Sequence, residues 1–215
     1  MSPRPYSMEK RQVARSETRV RILEAARRLL ATESNTDLSM EAIARGADVS
    51  RLTIYYQFSS RAGLLEALYD HLAERGNMRR MSEVFAEADA AIALEKMFRI
   101  FVGFWASDPA VMRHLRAMAA LDPEIAKGIS ARDSRRPHIA GEILKRAATG
   151  EKKARSSHLH VAADVIGMLT SFESYDVLAK AGHSEAEIVA TLTRLARCAI
   201  DHVLGRAAHH GREAK

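Results

Sequence analysis

Side chains of the kind that contact DNA crowd together between positions 51 and 57 of this chain. They are Arg51, Thr53, Tyr55, Tyr56 and Gln57. Guanidinium and amide groups can pair with base edges in the major groove, and hydroxyl groups can bond to bases or phosphates. All of these residues fall within about two turns of an α-helix. The segment therefore predicts a short helix that presents a polar face to a DNA duplex.

Capping residues and apolar spacing predict the elements that would hold this helix. Ser39 and Ser50 are good N-caps, because a serine oxygen accepts hydrogen bonds from the free N–H groups of a first turn. Asp48 suits the turn between two short helices, since aspartate tolerates left-handed backbone angles. Ile54 and Phe58 lie four residues apart and should face inward. The outer side then carries Arg51, Leu52, Tyr55 and Tyr56.

Amphipathic helices are predicted before and after this pair. The first covers residues 18–30, and another begins at Ser59 or Ser60 and runs to about Arg79. Both have apolar residues at the i, i+3, i+4 spacing that forms one buried face. These inward residues are Ile22, Leu23, Ala26, Leu29 and Leu30 in the first helix, and Leu64, Leu65, Leu68 and Leu72 in the last. The arrangement predicted is a three-helix helix-turn-helix domain followed by a linking helix.

The order and gaps of these residues resemble the N-terminal region of the TetR family of one-component repressors. The matching pieces are T-R-x-R-I-L-x-A-A from Thr18, S-M-x-x-I-A from Ser39, and A-x-V-S-x-x-T-I-Y-Y-x-F-x-S-R ending at Arg61. The resemblance covers residues 16–69. It implies a DNA-binding repressor with a helical rear domain that binds a small effector and pairs with a second copy of the chain.

The resemblance and the outward positions together imply a set of DNA contacts. We expect base contacts from Arg51, Leu52, Thr53 and Tyr55. Phosphate contacts, which fix the register without reading sequence, are expected from Thr18, Ser39, Ser50, Tyr56, Gln57 and Arg61.

Four positions depart from the family pattern. Asp48 and Leu52 each stand where the family usually has glycine, and Gln57 and Arg61 replace its usual histidine and lysine. Leu52 could touch a thymine methyl group, or it could shift the angle at which the helix docks. Arg61 keeps the positive charge and adds a fork geometry that suits phosphate.

Composition excludes several other classes of protein. The chain has 215 residues and a net charge of +6, and its 47% apolar content is ordinary for a globular protein. Few prolines or glycines interrupt it, which predicts an all-α fold. No apolar run approaches the ~20 residues that cross a bilayer, and the N-terminus lacks a secretory signal, so we expect no membrane partner. With Cys198 as the one cysteine, the cytoplasm is the predicted location.

Charge and helix breaks predict the domain organisation. Residues 1–28 hold eight Lys or Arg against three Glu, an excess placed where phosphates would lie. We expect a mobile basic arm over residues 1–14 and the helix-turn-helix domain over residues 15–62, with its linking helix reaching about residue 79. A helical effector-binding and dimerisation domain then covers residues 80–207, and a tail covers residues 208–215.

Two apolar stripes near the C-terminus predict an antiparallel helix pair joined by a turn at residues 181–183. The resemblance implies that this pair packs against the same pair of a second copy as a four-helix bundle. A symmetric homodimer suits a helix-turn-helix protein, because such proteins commonly read two half-sites. The predicted interface residues are Val161, Val165, Leu169, Phe172, Leu192, Leu195, Ala199 and Val203.

Aromatic and methionine side chains of the rear helices form a candidate effector pocket. The family resemblance implies a small effector that moves the linking helix, and an apolar lining would suit an apolar or aromatic molecule. The alternative is that these side chains fill the core. The candidate lining comprises Phe101, Phe104, Trp105, Met112, His114, Met118, Met168, Phe172 and Tyr175.

Motifs for catalysis, cofactors and metals are not evident. His158 and His160 are two residues apart and would diverge on a helix. The chain has no phosphate-binding loop of the Walker type, no nucleophile elbow and no H-E-x-x-H zinc motif. We therefore predict no catalytic residue, no cofactor and no metal, and we expect Cys198 to be a small buried thiol.

A repressor released from operator DNA by a small effector is the function that these features favour. Two alternatives remain open. One is a DNA-bound architectural protein with a filled rear core, and the other is an enzyme with an ancillary DNA-binding domain. The second would need a polar catalytic group in the rear pocket.

Overall fold

The described part of the chain consists of helices joined by short turns. The computed structural model describes residues 5–32, 38–148 and 156–203. Its helices are α1 (Pro5–Thr32), α2 (Met40–Ala47), α3 (Arg51–Phe58), α4 (Arg61–Arg75), α5 (Met81–Ala86), α6 (Ala90–Ser107), α7 (Pro109–Leu121), α8 (Pro123–Asp133), α9 (Arg135–Ala147), α10 (Ser156–Leu169), α11 (Phe172–Lys180) and α12 (Glu185–Val203). A turn of 3₁₀ helix, Met78–Arg80, precedes α5. The all-α fold predicted from the sequence is confirmed.

The caps and the turn of the helix-turn-helix form as predicted. The Ser39 oxygen accepts a hydrogen bond from the N–H of Ala42 at 3.3 Å, and the Ser50 oxygen accepts one from the N–H of Thr53 at 3.1 Å. Asp48 has a left-handed φ of 53° between α2 and α3. The inward-facing side chains of α2 and α3 are buried, and they are Met40, Ile43, Ala44, Ile54 and Phe58.

The ends of two helices differ from the prediction. α1 begins at Pro5, so residues 5–14 are helical instead of forming an arm. Proline is favoured at a first helical position, and the polar residues that follow it are good helix formers. α4 ends at Arg75 and not near Arg79, because Asn77 takes a left-handed φ of 59°. Residues 1–4 of the predicted arm and the predicted tail, 208–215, lie outside the described residues.

The start of α4 is fixed by Ser60, the second of the two predicted caps. Its oxygen accepts from the N–H of Gly63 at 2.9 Å. The residues predicted to face inward on α4, which are Leu64, Leu65, Leu68 and Leu72, are all buried. On α1, Leu29 is only half-buried, but the other four predicted residues, Ile22, Leu23, Ala26 and Leu30, are buried.

α6 is buried along most of its length, as its apolar content predicts. The indole N–H of Trp105 donates to the carbonyl of Thr170 at 3.0 Å, which ties α6 to the end of α10. The buried side chains of α6 include Leu94, Met97, Phe98, Phe101, Val102, Phe104 and Trp105.

The first of the two C-terminal stripes is interrupted at Thr170 and Ser171. The Thr170 hydroxyl donates to the carbonyl of Ile166 at 2.9 Å, and the Ser171 oxygen accepts from the N–H of Ser174 at 3.2 Å. Ser171 therefore caps a new helix, α11. The predicted stripe assumed one continuous helix, and the break removes that phase relation. On α10 the buried residues include Ala162, Ala163 and Ile166.

Three apolar residues on α10 and α12 are exposed in the single chain. Val161 and Met168 are each 59% exposed, and Leu195 on α12 is 50% exposed. Cys198 is also exposed, so the prediction of a buried thiol is wrong. Its neighbours in sequence are apolar, but it follows the buried Ala196 by two residues and so lies on another side of the helix.

The chain divides into two compact units. The first comprises residues 1–72 and 110–128, and the second comprises residues 73–109 and 129–215. α7 therefore groups with the helix-turn-helix, whereas the sequence assigned it to the rear domain.

Candidate nucleic-acid interface

The outward face of α3 carries the side chains predicted to read bases. Leu52 is 78% exposed and Tyr56 is 72% exposed, whereas Tyr55 is 39% exposed. Arg51 is exposed and Thr53 is half-buried. Because the opposite side of α3 is buried, the helix is anchored with its polar side toward solvent. An α-helix in this setting can enter a major groove.

Arg51 is held in place by a residue of α2. Its guanidinium donates to the Glu41 carboxylate at 2.5 Å. Hydrogen bonding to Tyr55, followed by the charge of Glu41, raises the pKa of Arg51 above its usual value, so its positive charge is secure. Both members of the ion pair are more than half exposed, so solvent screens the pair strongly. The sequence did not identify Glu41 as a partner of Arg51.

Two arginines of α1 support α3, and neither was among the predicted contacts. Arg19 donates to the backbone carbonyl of Gln57 at 3.0 Å, and its guanidinium lies 4.3 Å from the ring centre of Phe58. Arg15 lies 5.1 Å from the ring centre of Tyr56. These cation–π contacts place positive charge beside the exposed edge of α3. The only sequence signal for them was the local excess of basic residues.

The residues predicted to contact phosphate lie in the first unit, and several of them already form hydrogen bonds within the chain. Ser39 and Ser50 serve as helix caps, and the Thr18 hydroxyl donates to the carbonyl of Ala14 at 2.9 Å. The Gln57 amide nitrogen lies 3.4 Å from the carbonyl oxygen of Arg15. The Thr18 hydroxyl has one proton, so it would have to leave the Ala14 carbonyl in order to donate to a phosphate.

Arg61 has a partner that the sequence did not indicate. Its guanidinium nitrogen lies 3.5 Å from an oxygen of Asp122, at the end of α7. Asp122 also caps α8, because its carboxylate accepts from the N–H of Glu124 at 2.9 Å. Both charged groups are about one-third exposed, so Arg61 can still reach solvent.

Five of the predicted pocket residues come together in the second unit as a packed aromatic cluster. The ring centres of Phe104 and Trp105 are 4.5 Å apart, those of Trp105 and Phe172 are 5.6 Å apart, and those of Phe172 and Tyr175 are 6.1 Å apart. Phe101 completes the row at 6.3 Å from Trp105. Aromatic pairs at these separations stabilise a core by direct contact.

The other predicted pocket residues do not belong to this cluster. Met112 and Met118 are buried in the first unit. His114 lies there too, half-buried, with its Nδ1 3.0 Å from the carbonyl oxygen of Ala110. Met168 is exposed, so the structure does not bring it into the buried cluster.

The predicted dimer-interface residues fall into three groups. Leu169, Phe172 and Leu192 are buried within the single chain, so they cannot also face a second copy. Val161 and Leu195 are exposed, and Val165 and Ala199 are half-buried. The side chain of Val203 lies outside the described part. The exposed apolar residues of this region also include Met168 and Val177.

Metal-binding clusters and helices able to span a membrane are absent from the described residues. Within them, no three His, Cys, Asp or Glu side chains are placed to hold a metal ion. No described helix combines the length and the apolarity that crossing a bilayer requires.

Residues 22–68 match a known family, described as bacterial regulatory proteins of the tetR family. The chain is 33% identical over 123 residues to the HTH-type transcriptional regulator AlkX of Mycobacterium tuberculosis, covering 55% of this chain and 54% of that protein. It is 34% identical over 93 residues to the HTH-type transcriptional regulator EthR of Mycolicibacterium smegmatis, covering 43% of each. The matches thus span about half the length of these relatives.

The fold is also similar to solved structures. One is a cysteine mutant of the TetR family transcriptional regulator CifR, complexed with 26-base-pair operator DNA. It aligns with a TM-score of 0.62 at 17% identity and covers 82% of this chain and 94% of that chain. At that identity the likeness establishes the fold. Over residues 22–68, which include the helix-turn-helix, the chain is similar to the bacterial regulatory proteins of the tetR family.

Proposed function

We propose that this protein is a sequence-specific DNA-binding transcriptional regulator, and that it represses transcription until a small effector releases it from its operator. The observation that carries the proposal is the exposed polar face of α3, with Arg51, Leu52 and Tyr56 outward and the opposite side locked in the core. Arg15 and Arg19 place positive charge beside that face. The operator complex of CifR, whose fold is similar, agrees with this use of the surface.

A homodimer is the second part of the proposal. Val161, Met168, Val177 and Leu195 are all at least half exposed, and all lie on the C-terminal helices α10 to α12. Large apolar side chains that cluster on a surface commonly mark a protein interface. A symmetric dimer would carry two copies of α3, the number needed to read two half-sites in successive major grooves about 34 Å apart. A homodimeric regulator of this kind would act in the cytoplasm, where its operator is found.

A small effector is the third part of the proposal, and one observation favours the architectural alternative. The rings of the aromatic cluster contact one another directly, as they would in a filled core. A regulator that responds to a ligand should gain thermal stability when an apolar compound binds. A thermal-shift screen of apolar and aromatic compounds in which none raises the melting temperature would favour the architectural protein.

Selection of bound duplexes from a random pool tests DNA recognition itself. We expect enrichment of a two-fold symmetric sequence whose half-sites are separated by about one helical turn. The control variant Arg51→Ala keeps the fold, because Arg51 is exposed, and should lose the preference at one base pair in each half-site. Failure of the purified protein to bind any duplex at low salt would contradict the proposal.

Arg61→Ala is expected to weaken binding to all DNA sequences alike and to lower the slope of log affinity against log salt by about one. The reason is that Arg61 would contact a phosphate, which carries no sequence information. The measurement is fluorescence anisotropy with specific and random duplexes over a range of salt concentrations.

Asp122→Asn is the matched control for this variant. It removes the ion pair with Arg61 but keeps the guanidinium, and asparagine caps a helix as well as aspartate does. We expect Asp122→Asn to bind DNA at least as tightly as the wild-type protein. A similar loss of binding in both variants would show that the ion pair matters and that the phosphate contact does not.

Leu52→Gly is expected to change sequence preference more than total affinity. Leu52 is the most exposed of the predicted base-contacting residues described above, and its methyl groups could contact a thymine methyl. Selection from random duplexes with each variant measures the preference. An unchanged selected sequence would eliminate the methyl contact.

A further inference from the structure

A groove between α6 and α12 lies in the second unit. None of its lining residues belongs to the aromatic cluster. Its volume is about 560 Å³. Val102 and Val189 contribute apolar walls, and Thr193, Arg194 and Arg197 line it from α12. The groove thus combines an apolar surface with hydrogen-bond donors, which is the usual composition of a small-molecule site.

The charges of the groove favour an anion. Glu95 and Arg99, at its α6 side, already neutralise each other through a 2.7 Å ion pair. Arg194 and Arg197 are exposed, and neither forms an ion pair with any residue that the structure describes. The remaining lining carboxylate is Glu185, in the first turn of α12, where the helix dipole offsets a negative charge. Two guanidinium groups are therefore available against one carboxylate.

Thr193 supplies an independent sign of a missing partner. Its side chain is 6% exposed, and its hydroxyl oxygen has no hydrogen-bond partner within the described part of the chain. Buried hydroxyl groups are nearly always bonded, and a helical threonine ordinarily bonds to the carbonyl four residues earlier. Thr193 lines the groove, and rotation about its Cα–Cβ bond would present this enclosed hydroxyl to a ligand bound there.

The proposed dimer would leave this groove open. α12 turns by about 100° per residue, so Leu195, two residues from both Thr193 and Arg197, lies on roughly the opposite side of the helix. Leu195 belongs to the exposed apolar surface assigned to the second copy, whereas Thr193 and Arg197 line the groove.

We propose that this groove binds a small organic carboxylate with a compact aliphatic body. The guanidinium groups of Arg194 and Arg197 donate to the carboxylate, and the Thr193 hydroxyl donates to the same group. Val102 and Val189 contact the hydrocarbon portion, which gains by leaving water. All of its lining residues belong to the second unit.

Hexanoate is a suitable probe, and the valine methyl groups report its position. In the full-length protein labelled with ¹³C at valine methyl groups, titration should shift the signals of Val102 and Val189 until they saturate. The signals of Val161 and Val177, exposed on other surfaces, should stay unchanged. Hexanamide, which has the same shape but no charge, should cause no saturable shift. Equal shifts with hexanamide, or none with hexanoate, would overturn the proposal.

Variants separate specific recognition from general attraction of an anion. The double variant Arg194→Ala with Arg197→Ala should bind hexanoate at least about tenfold more weakly. Arg135→Ala, which removes an exposed arginine of α9 outside the groove, should bind it as the wild-type protein does. If both changes weakened hexanoate binding equally, net charge alone would explain the effect. That result would contradict the proposed site.

Thr193→Val tests the hydroxyl with little change of shape. Since it removes a buried polar group that has no partner, the melting temperature without ligand should rise. The affinity for hexanoate should nevertheless fall by about tenfold, because the ligand loses a donor. A rise in melting temperature with unchanged affinity would show that this hydroxyl takes no part in binding.

Discussion

A Gly63→Ala variant should unfold at a markedly lower temperature than the wild-type protein and should lose its affinity for DNA. A Cβ atom added at Gly63 would lie 2.2 Å from the carbonyl oxygen of Phe58. That oxygen belongs to the backbone between α3 and α4, where it also accepts from the N–H of Ser60 at 2.8 Å. The clash can be relieved only by moving the backbone where α3 meets α4, which disturbs the end of the helix proposed to read DNA.

The expected size of the effect follows from overpacking. A strained contact of this kind costs about 3 kcal/mol, which for a chain of this length lowers the melting temperature by roughly 6–12 °C. Thermal unfolding followed by circular dichroism measures it. Gly103→Ala is the control, because a Cβ there would meet nothing within 4 Å and glycine inside a helix is unfavourable. If the two variants melted alike, steric conflict at Gly63 would not be the determinant.

Trp105→Ala should produce the largest loss of stability in the second unit. Trp105 is 1% exposed and packs against the rings of Phe104 and Phe172. Removing a buried aromatic side chain of this size costs about 3–5 kcal/mol. The carbonyl of Thr170 would also lose the indole N–H that bonds to it at 3.0 Å. Urea unfolding, monitored by circular dichroism, should show the midpoint displaced to lower concentration.

Trp105→Phe divides this loss into its parts. It keeps an aromatic ring in the cluster but removes the donor, so it should cost about 1–3 kcal/mol. Leu121→Ala, at a residue that is 78% exposed, should change stability by less than about 0.5 kcal/mol. Trp105→Ala and Trp105→Phe with the same midpoint would mean that the hydrogen bond, and not the packing, dominates.

Local spacing was sufficient to predict the helix-turn-helix. Ser39 and Ser50 cap the helices that they were expected to cap, and Asp48 makes the left-handed turn. These features depend on hydrogen bonds within three residues, so the sequence contains all the information needed. The inward faces of α2 and α3 follow in the same way, since a helix repeats every 3.6 residues.

Contacts between distant segments could not be predicted in this way. Arg51 meets Glu41, and Arg19 meets the carbonyl of Gln57, 38 positions later. Neither pair has a periodic signal, because the contact depends on how α1, α2 and α3 pack. The position of Arg61 beside Asp122 depends on α7 packing in the first unit, which the sequence assigned to the rear domain.

The rear domain was predicted less well, and the reason is the break at Thr170. Neither Thr170 nor Ser171 is a proline or a glycine, so the usual signal of a helix break is missing there. Ser171 followed by Glu173 is nevertheless a helix-start signal, and the predicted stripe ignored it. The break changes the phase between Phe172 and the residues of α10. The aromatic cluster itself was recovered, because Phe101, Phe104 and Trp105 follow one another on α6.

The one tryptophan of the chain gives it an intrinsic optical probe of a single unit. Trp105 is enclosed in the second unit, and residues 1–72 and 110–128 contain no tryptophan. Its emission therefore reports the unfolding of the second unit alone, whereas the far-ultraviolet signal sums the helices of both. Superimposable emission and ellipticity curves would mean that the units melt as one cooperative body, and a gap between the curves would measure their independence without any added label.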